Sequence, residues 1–178
     1  MPETYTLEVA GLVRHLPICK ISDDLSIAAF IMFGDVELTI ACAKAIIDKV
    51  PAFDVIVTAE AKAIPLAYEM SRQSGKKYIP ARKGKKNYMQ DPVVIEVESI
   101  TTKGKQSLCI DRPDLDYLNG KRALIVDDVI STGGSLKAME AIVAQSTATV
   151  VARAAVLAEG SAAQRDDIVF LAPLPLIG

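Results

Sequence analysis

The segment 123–135 constrains the fold of this chain more strongly than any other. It opens with four apolar residues, which predict a short buried strand because a half-exposed strand would alternate polar and apolar residues. Asp127 and Asp128 end this strand, and a loop of hydroxyl-bearing and glycine residues follows them. Apolar residues then recur at helical spacing, with Ser135 placed as the helix cap. The segment therefore predicts a strand, an acidic pair, a small-residue loop and a helix.

This order of elements indicates a binding site for a sugar phosphate. The start of a helix behind a glycine-rich loop offers unpaired N–H groups and the positive end of the helix dipole, which suit a phosphate. The two aspartates would repel that phosphate unless they held sugar hydroxyls or a hydrated divalent cation. An ordinary capped turn needs neither two adjacent aspartates nor two glycines. The residues assigned to the phosphate are Ser131, Thr132, Gly133, Gly134 and Ser135.

Residues 123–135 closely resemble the signature with which type I phosphoribosyltransferases bind phosphoribosyl pyrophosphate (PRPP). The family usually ends this signature with threonine, and Ser135 keeps the hydroxyl group. The chain contains neither the P-loop pattern Gly-x-x-x-x-Gly-Lys-Ser/Thr nor the dinucleotide pattern Gly-x-Gly-x-x-Gly, which are the other common phosphate loops. The resemblance covers most of the chain from about Asp54 onward.

Other segments repeat the alternation of strand and helix. Strands are predicted at 54–58, 77–81, 149–157 and 168–171, and helices at 37–50 and from about 65 to 75. Such alternation implies parallel strands joined by right-handed crossovers. The predicted fold class is α/β, with a mostly parallel central sheet flanked by helices. The resemblance implies the single-domain fold of the type I phosphoribosyltransferases.

Two segments stand outside this alternation. Residues 1–38 show no clear pattern and are predicted to form a small N-terminal hood on a core of residues 39–178, without a domain boundary between them. Within the hood, the apolar run 28–33 is expected to be buried. Strand-like segments at 93–98 and 106–110 enclose a polar tip with a glycine. They predict a flexible β-hairpin that closes over the site as a lid.

The composition excludes several classes of protein. The 178 residues are 51% hydrophobic and carry a formal net charge of −2, which allows a full core and argues against a nucleic-acid partner. No run approaches the roughly 20 apolar residues of a membrane span, and the start lacks a signal region, so we expect a cytoplasmic protein with no membrane partner. Three cysteines without Cys-x-x-Cys spacing argue against disulfide bonds and a zinc site.

The resemblance is closest to the adenine phosphoribosyltransferases, and it implies cations for the pyrophosphate group of PRPP. The family's Glu/Asp-x-Arg-Gly motif corresponds to residues 60–63. Lys62 keeps the positive charge of arginine without its planar fork, and Ala63 replaces the glycine. The family's cations after the third strand correspond to Arg82, Lys83, Lys85 and Lys86. These positions follow neighbouring parallel strands, whose ends face the ligand crevice.

The resemblance also implies a base site, a metal ion and catalytic residues. Purine contacts fall by analogy near 18–21 and 157–159, with Lys20, Ile21 and Glu159 as the candidates. Mg²⁺ is expected as the cofactor, held mainly by PRPP itself, with the acidic pair as candidate protein ligands. The candidate catalytic residues are Asp127, Asp128 and Arg82.

The activity implied by the resemblance is that of a purine phosphoribosyltransferase that binds PRPP and a purine base as a homodimer. Its first candidate reaction converts adenine and PRPP to AMP and pyrophosphate. Xanthine, guanine and hypoxanthine remain alternative bases. A second alternative is a regulator of purine metabolism that senses PRPP without catalysis. Such regulators usually carry a DNA-binding module ahead of this domain, whereas only residues 1–38 precede the first clear helix here.

Overall fold

A computed structural model describes residues 3–98 and 105–177 of the chain. Its strands are β1 (Thr4–Val9), β2 (Leu12–Ser22), β3 (Leu25–Ala28), β4 (Val55–Ala59), β5 (Lys77–Ala81), β6 (Val93–Glu98), β7 (Lys105–Ile110), β8 (Arg122–Ile130), β9 (Thr149–Glu159), β10 (Val169–Leu174) and β11 (Leu176–Ile177). Its helices are α1 (Val36–Lys49), α2 (Ile64–Ser74), α3 (Arg112–Leu118) and α4 (Gly134–Val143), with a short 3₁₀ helix at Gly160–Gln164. None of the helices in this part of the chain is long and apolar enough to cross a membrane.

The centre of the molecule is a five-stranded sheet in the order β10-β9-β8-β4-β5. Every pair of neighbouring strands in it is parallel. Strands β4 and β8 lie in the middle; β4 is buried throughout and β8 is buried along its apolar run 123–126, as these runs predicted. The α/β fold class is thereby confirmed.

Helices cover both faces of this sheet, because successive residues of a strand point to opposite sides. Ile56 and Leu124 belong to a core cluster with α1 and α2. Their neighbours Val57 and Ile125 belong to a second cluster with α3 and α4. The central sheet therefore separates two hydrophobic cores.

The ends of α1 and α2 follow from local signals that the sequence shows. Asp35 caps α1, where its side chain accepts a hydrogen bond from the backbone N–H of Leu38 at 3.0 Å. Pro65 stands in the first turn of α2, where its missing N–H costs nothing. Gly75 ends α2 in the left-handed conformation, with φ 70°. Both helices lie where the sequence predicted them.

The N-terminal residues form a second sheet, in the order β1-β2-β3-β11. Its last strand comes from the other end of the chain, since β11 pairs antiparallel with β3. The apolar run 28–33 is only partly buried, contrary to expectation: Phe30 and Met32 are buried, whereas Ile31 and Phe33 are more than half exposed. Side chains alternate between core and surface along this extended segment, which an unbroken apolar sequence does not reveal.

The predicted β-hairpin is confirmed as the antiparallel pair β6 and β7. Its tip, residues 99–104, lies outside the described residues. Leu108 and Ile110 of β7 are buried in the cluster with α4, so the base of the hairpin is packed against the core. Helix α3 follows directly and was not predicted. It buries Leu115 and Leu118, and its seven residues are too few to show a helical repeat.

Candidate active site

A cavity of about 600 Å³ opens at the carboxyl edge of the central sheet. The ends of β4 and β8, the segment after β5 and strand β7 all contribute to its wall. This is where open α/β sheets bind their ligands. Its lining residues are Ala59, Glu60, Ala61, Lys62, Lys83, Ser107, Leu108, Asp127, Asp128, Val129 and Ser135. The fold thus brings together five residues that the sequence assigned to the site, namely Lys62, Lys83, Asp127, Asp128 and Ser135.

The acidic pair lies within β8 and does not end it, contrary to the sequence analysis. Beyond the pair, β8 continues to pair with β9, with Ile130 opposite Ala158. Asp128 is buried, with 3% of its surface exposed. One carboxylate oxygen of Asp127 accepts a hydrogen bond from the backbone N–H of Asp128 at 2.9 Å. Pairing with β9 therefore keeps the strand extended past the point where two charged residues suggested its end.

One oxygen of Asp128 is an open hydrogen-bond acceptor. Lys62 Nζ lies 3.2 Å from Asp128 Oδ2 and forms an ion pair with it. This buried oxygen nevertheless accepts no hydrogen bond within the part of the chain that the structure describes, because the ammonium group is not aligned with it. An unsatisfied buried acceptor is costly, by about 1–3 kcal/mol, unless a ligand satisfies it.

The carboxyl group of Asp127 does not ionise freely. Burial is the main cause that raises the pKa of Asp127 above its ordinary value, and the negative charge of Asp128 adds to the rise. Lys62 opposes this rise. A ligand that brings hydroxyl donors or a cation to the pair would favour its ionised form.

These residues fit a magnesium ion that is held mainly by the phosphates of the substrate. Within residues 3–98 and 105–177, no three His, Cys, Asp or Glu side chains cluster as a metal-binding group. The acidic pair supplies the one or two carboxylates that Mg²⁺ takes in sites completed by substrate phosphates. The open acceptor on Asp128 is a second feature that suits a cation or a hydroxyl donor.

The glycine-bearing loop surrounds a concavity of about 100 Å³ between β8 and α4. The residues that line it are Asp127, Val129, Ile130, Ser131, Thr132, Gly133, Gly134, Ser135 and Leu136. Helix α4 begins at Gly134, and its cap is Gly133 instead of the predicted Ser135. Gly133 has φ 83°, a conformation that favours glycine, so the chain turns into the helix two residues earlier than the hydroxyl pattern indicated. All five loop residues assigned to a phosphate line this concavity.

Glu60 joins the loop after β4 to the segment after β5. Its carboxylate accepts one hydrogen bond from Arg82 Nε at 2.8 Å and another from the backbone N–H of Lys83 at 2.6 Å. These bonds hold the pKa of Glu60 below its usual value, and the bond from Lys83 has the larger effect. Burial acts in the opposite direction and raises the pKa. Arg82 also donates to the hydroxyl of Tyr88 at 2.5 Å. The guanidinium of Arg82 is thus engaged with Glu60 and Tyr88, and Arg82 is not among the residues that line the cavity.

The remaining predicted residues lie away from the cavity wall. Lys85 is exposed, and Lys86 is half-buried with its backbone N–H near the sulfur of Met89. Among the candidates for the base, Lys20 is exposed on β2 and pairs with Asp23 at 2.9 Å. Ile21 is also exposed, and Glu159 is the last residue of β9. None of these five side chains lines the 600 Å³ cavity.

Sequence reasoning missed the two residues that β7 contributes to the cavity wall. Ser107 and Leu108 belong to β7, and the Ser107 hydroxyl donates to the backbone carbonyl of Lys83 at 3.3 Å. The predicted hairpin was the signal that could have identified them, because its second strand forms one wall of the site. Ala63, which replaces a glycine of the family motif, has ordinary helical angles of φ −88° and ψ −3°. Its Cβ therefore meets no unfavourable backbone geometry.

The family to which the chain belongs follows from a comparison with known protein families. Residues 37–172 match the phosphoribosyl transferase domain. The chain belongs to the phosphoribosyl transferase family. The family match includes the phosphate loop, the acidic pair and the two loops that Glu60 connects.

Individual relatives of this phosphoribosyl transferase chain include proteins that are named for different purine bases. It is 34% identical over 111 residues to the hypoxanthine/guanine phosphoribosyltransferase of Methanococcus voltae, covering 60% of this chain and 54% of that protein. It is 35% identical over 96 residues to the adenine phosphoribosyltransferase of Petrotoga mobilis, covering 51% and 50%. The chain thus spans about half the length of these curated relatives.

Solved structures support the fold. The adenine phosphoribosyltransferase of Thermoanaerobacter pseudethanolicus superposes with a TM-score of 0.67 at 23% identity, covering 78% of this chain and 82% of that chain. The α/β phosphoribosyltransferase fold that the sequence resemblance implied is therefore confirmed.

Proposed function

We propose that this protein is a purine phosphoribosyltransferase that uses PRPP and Mg²⁺, with adenine as its first candidate base. The observation that carries this proposal is a cavity whose wall holds the acidic pair, Ser135 at the end of the phosphate-type loop, and two lysines. In the reaction, a purine ring nitrogen forms a bond to C1 of the ribose and releases its proton to the solvent, while the bond from C1 to the pyrophosphate oxygen breaks and its electron pair leaves with pyrophosphate. The products are a nucleoside monophosphate and pyrophosphate.

Each part of the cavity suits one part of PRPP. The loop 131–135 would hold the 5′-phosphate at the start of α4, where backbone N–H groups are unpaired. The open oxygen of Asp128 would accept a hydrogen bond from a ribose hydroxyl. Lys62 and Lys83 would lie against the pyrophosphate. This arrangement would place the scissile bond between the acidic pair and the lysines.

The charges of the site suit the transition state of this reaction. As the bond to pyrophosphate breaks, positive charge builds on the ribose ring and negative charge builds on the leaving group. Preorganised charges that meet both changes lower the barrier. The carboxylates of the acidic pair would stabilise the ring, and Lys62 and Lys83 would stabilise pyrophosphate. Bound Mg²⁺ would add positive charge to the pyrophosphate.

Lys62 would exchange partners during the reaction. Its ammonium pairs with Asp128, yet its side chain remains 55% exposed, so the ion pair is weak and easily replaced. When a ribose hydroxyl occupies Asp128, Lys62 would be released toward the pyrophosphate. The role of Arg82 would depend on its position. Glu60 fixes that position, because its carboxylate accepts hydrogen bonds from both the Arg82 guanidinium and the Lys83 backbone.

A second copy of the chain would cover an apolar patch beside the site, giving a homodimer. The patch consists of the exposed side chains Ile31, Phe33, Val36, Ile40 and Tyr68. Val36, Ile40 and Tyr68 line a groove of about 370 Å³ between α1 and α2. Exposed apolar patches of this kind typically mark protein interfaces.

Sedimentation equilibrium tests the homodimer. The double variant Phe33→Ser/Val36→Ser should shift the protein to the monomer mass. The matched control Val13→Ser changes an exposed apolar residue outside the patch and should leave the dimer intact. A monomeric parent protein, or an intact dimer in the double variant, would contradict the proposal.

The proposal extends to the organisation of the chain and to its location. Residues 1–38 and 39–178 would form one cooperative domain, since Leu7 and Leu16 of the hood share a core cluster with Cys42 and Ile46 of α1. A single thermal transition is expected. The protein would act in the cytoplasm, where nucleotides are made and used.

One assay tests the reaction and its base together. Purified protein is given PRPP, Mg²⁺ and one base at a time, and both nucleotide and pyrophosphate are measured. Adenine should give AMP and pyrophosphate in equal amounts, with xanthine, guanine and hypoxanthine as the alternatives. Tight PRPP binding without turnover on any base would instead support the PRPP-sensing regulator. Absence of PRPP binding would reject both functions.

A further inference from the structure

Arg165 lies against the loop that would hold the 5′-phosphate, although it is distant from it in sequence. It follows the 3₁₀ helix after β9, and its backbone N–H donates to the carbonyl of Ala162 at 3.1 Å. A Cβ atom built on Gly133 would stand only 3.0 Å from Arg165 Nη1. The guanidinium therefore occupies the space beside the glycine that caps α4.

One nitrogen of this guanidinium is free to bind a ligand. Arg165 Nε and Nη2 both donate to the carboxylate of Asp167, at 2.8 and 2.7 Å. Nη1 has no hydrogen-bond partner anywhere in residues 3–98 and 105–177. The two bonds to Asp167 fix the plane of the guanidinium, and Nη1 is the nitrogen that lies against Gly133. Asp167 thus orients Arg165 toward the loop.

The loop itself lacks a cation. A phosphate monoester carries about −1.5 to −2 charges at pH 7. The start of a helix supplies only about +0.5 charge. The residues that line the concavity include Asp127 and none with a positive side chain. Lys62 and Lys83 line the larger cavity, where the pyrophosphate would bind. A positive group next to the loop is therefore needed to balance the phosphate.

We propose that Arg165 is a phosphate-binding residue of this site, whose free Nη1 and positive charge bind the 5′-phosphate held by residues 131–135. The ion pair with Asp167 by itself contributes little stability, because both side chains are partly exposed. Its role is to position the guanidinium. This inference rests on the proposed function, because it takes the loop to hold a 5′-phosphate.

Titration calorimetry on the full chain tests the inference with ribose 5-phosphate and pyrophosphate, which represent the two ends of the site. Arg165→Gln should weaken ribose 5-phosphate binding by about 10- to 100-fold, the loss expected for one hydrogen bond to a charged group. Pyrophosphate binding should change by less than about threefold. Arg122→Gln is the matched control, since Arg122 is also a partly exposed arginine whose Nε and Nη2 both donate to one aspartate, Asp54, at the start of β8. It should leave both affinities unchanged.

The pH dependence separates binding from structural support. Phosphate monoesters lose about one negative charge below pH 6. The ratio of the parent affinity to that of Arg165→Gln should therefore be larger at pH 7.5 than at pH 5.5. Arg165→Lys keeps the charge and loses the fork, so it should lose about 3- to 10-fold in ribose 5-phosphate affinity. It provides the same test if the glutamine variant does not fold.

Two results would overturn the inference, and a third would also reject the proposed function. Unchanged ribose 5-phosphate affinity in the folded variants, or equal losses for ribose 5-phosphate and pyrophosphate, would mean that Arg165 does not bind the 5′-phosphate. If the parent protein binds neither ligand, the proposed function fails and this inference fails with it.

Discussion

Replacing Asp128 by asparagine should stabilise the free protein while weakening its binding to PRPP. The buried carboxylate has an oxygen without a hydrogen bond and stands next to a second carboxylate whose pKa is raised. The neutral amide removes the buried negative charge, and a charged unsatisfied acceptor costs more than a neutral one, by about 1–3 kcal/mol. Loss of the ion pair with the half-exposed Lys62 costs less than about 1 kcal/mol. The midpoints of these two ranges give a net gain in unfolding free energy of about 1–2 kcal/mol.

Calorimetry measures both consequences. For a domain of this size, about 1 kcal/mol raises Tm by roughly 2–4 °C, so Asp128→Asn should melt several degrees higher at pH 7.5. PRPP should bind about 10- to 100-fold more weakly, because a charged acceptor becomes a neutral one. Asp48→Asn is the control: Asp48 also pairs with a lysine, Lys44, but lies exposed on α1. Its Tm and PRPP affinity should remain those of the parent.

The stabilisation should also depend on pH with a definite sign. Because the pKa of Asp127 is raised in the folded protein, its contribution to stability is fully present below its unfolded pKa of about 3.9. It is lost as the pH rises through the folded pKa. Removing the charge of Asp128 removes part of that rise, so the gain in Tm should be larger at pH 8 than at pH 5. A lower Tm combined with weaker binding would show that Asp128 supports the fold, and unchanged PRPP affinity would place the pair outside the site.

Three further predictions concern the loops and the hairpin. Lys62→Ala should lower turnover by about 10- to 100-fold while changing AMP affinity less than threefold, whereas equal losses would contradict a role at the pyrophosphate. Glu60→Gln should lower kcat/KM for PRPP by at least about tenfold and destabilise the fold by about 1–3 kcal/mol, because two charge-assisted hydrogen bonds weaken; an unchanged kcat/KM would reject the positioning of Arg82. In hydrogen exchange, the amides of 108–110 should be protected without ligand because these residues are buried. Exchange of the amides of 93–97 should slow only when PRPP and Mg²⁺ are added together. Slow exchange at 93–97 in the free protein would reject the lid.

The central sheet and the acidic pair were predictable because their signals are local. The apolar runs of β4 and β8 need both faces covered, and that requirement alone places them in the middle of a parallel sheet. The pair in β8 and the glycine loop after it were evident from residue types. The end of β8 was not predictable from local signals, because pairing with β9 holds its last residues in the strand.

Other features depend on contacts between residues that are far apart in the sequence. Arg82 is turned toward Glu60, which lies 22 positions earlier, and no local pattern shows that this carboxylate takes the guanidinium. No local pattern distinguishes Arg165, since its approach to Gly133 exists only in the folded chain. A hood of residues 1–38 was predicted, but the strand that completes its sheet was not, because β11 comes from the opposite end of the chain.

The shared carboxylate of Glu60 has a consequence for engineering this site. One side chain sets the position of the loop after β4 and, through the Lys83 backbone, of the segment after β5. Inserting or deleting a residue in either segment would change the register of the other. Transplanting one of these loops alone from a relative should therefore give an inactive chimera. Transplanting residues 59–63 together with 81–86 should preserve the hydrogen bonds of Glu60 that connect the two loops. The two segments form one exchangeable module, and base preference can be altered elsewhere in the molecule without disturbing it.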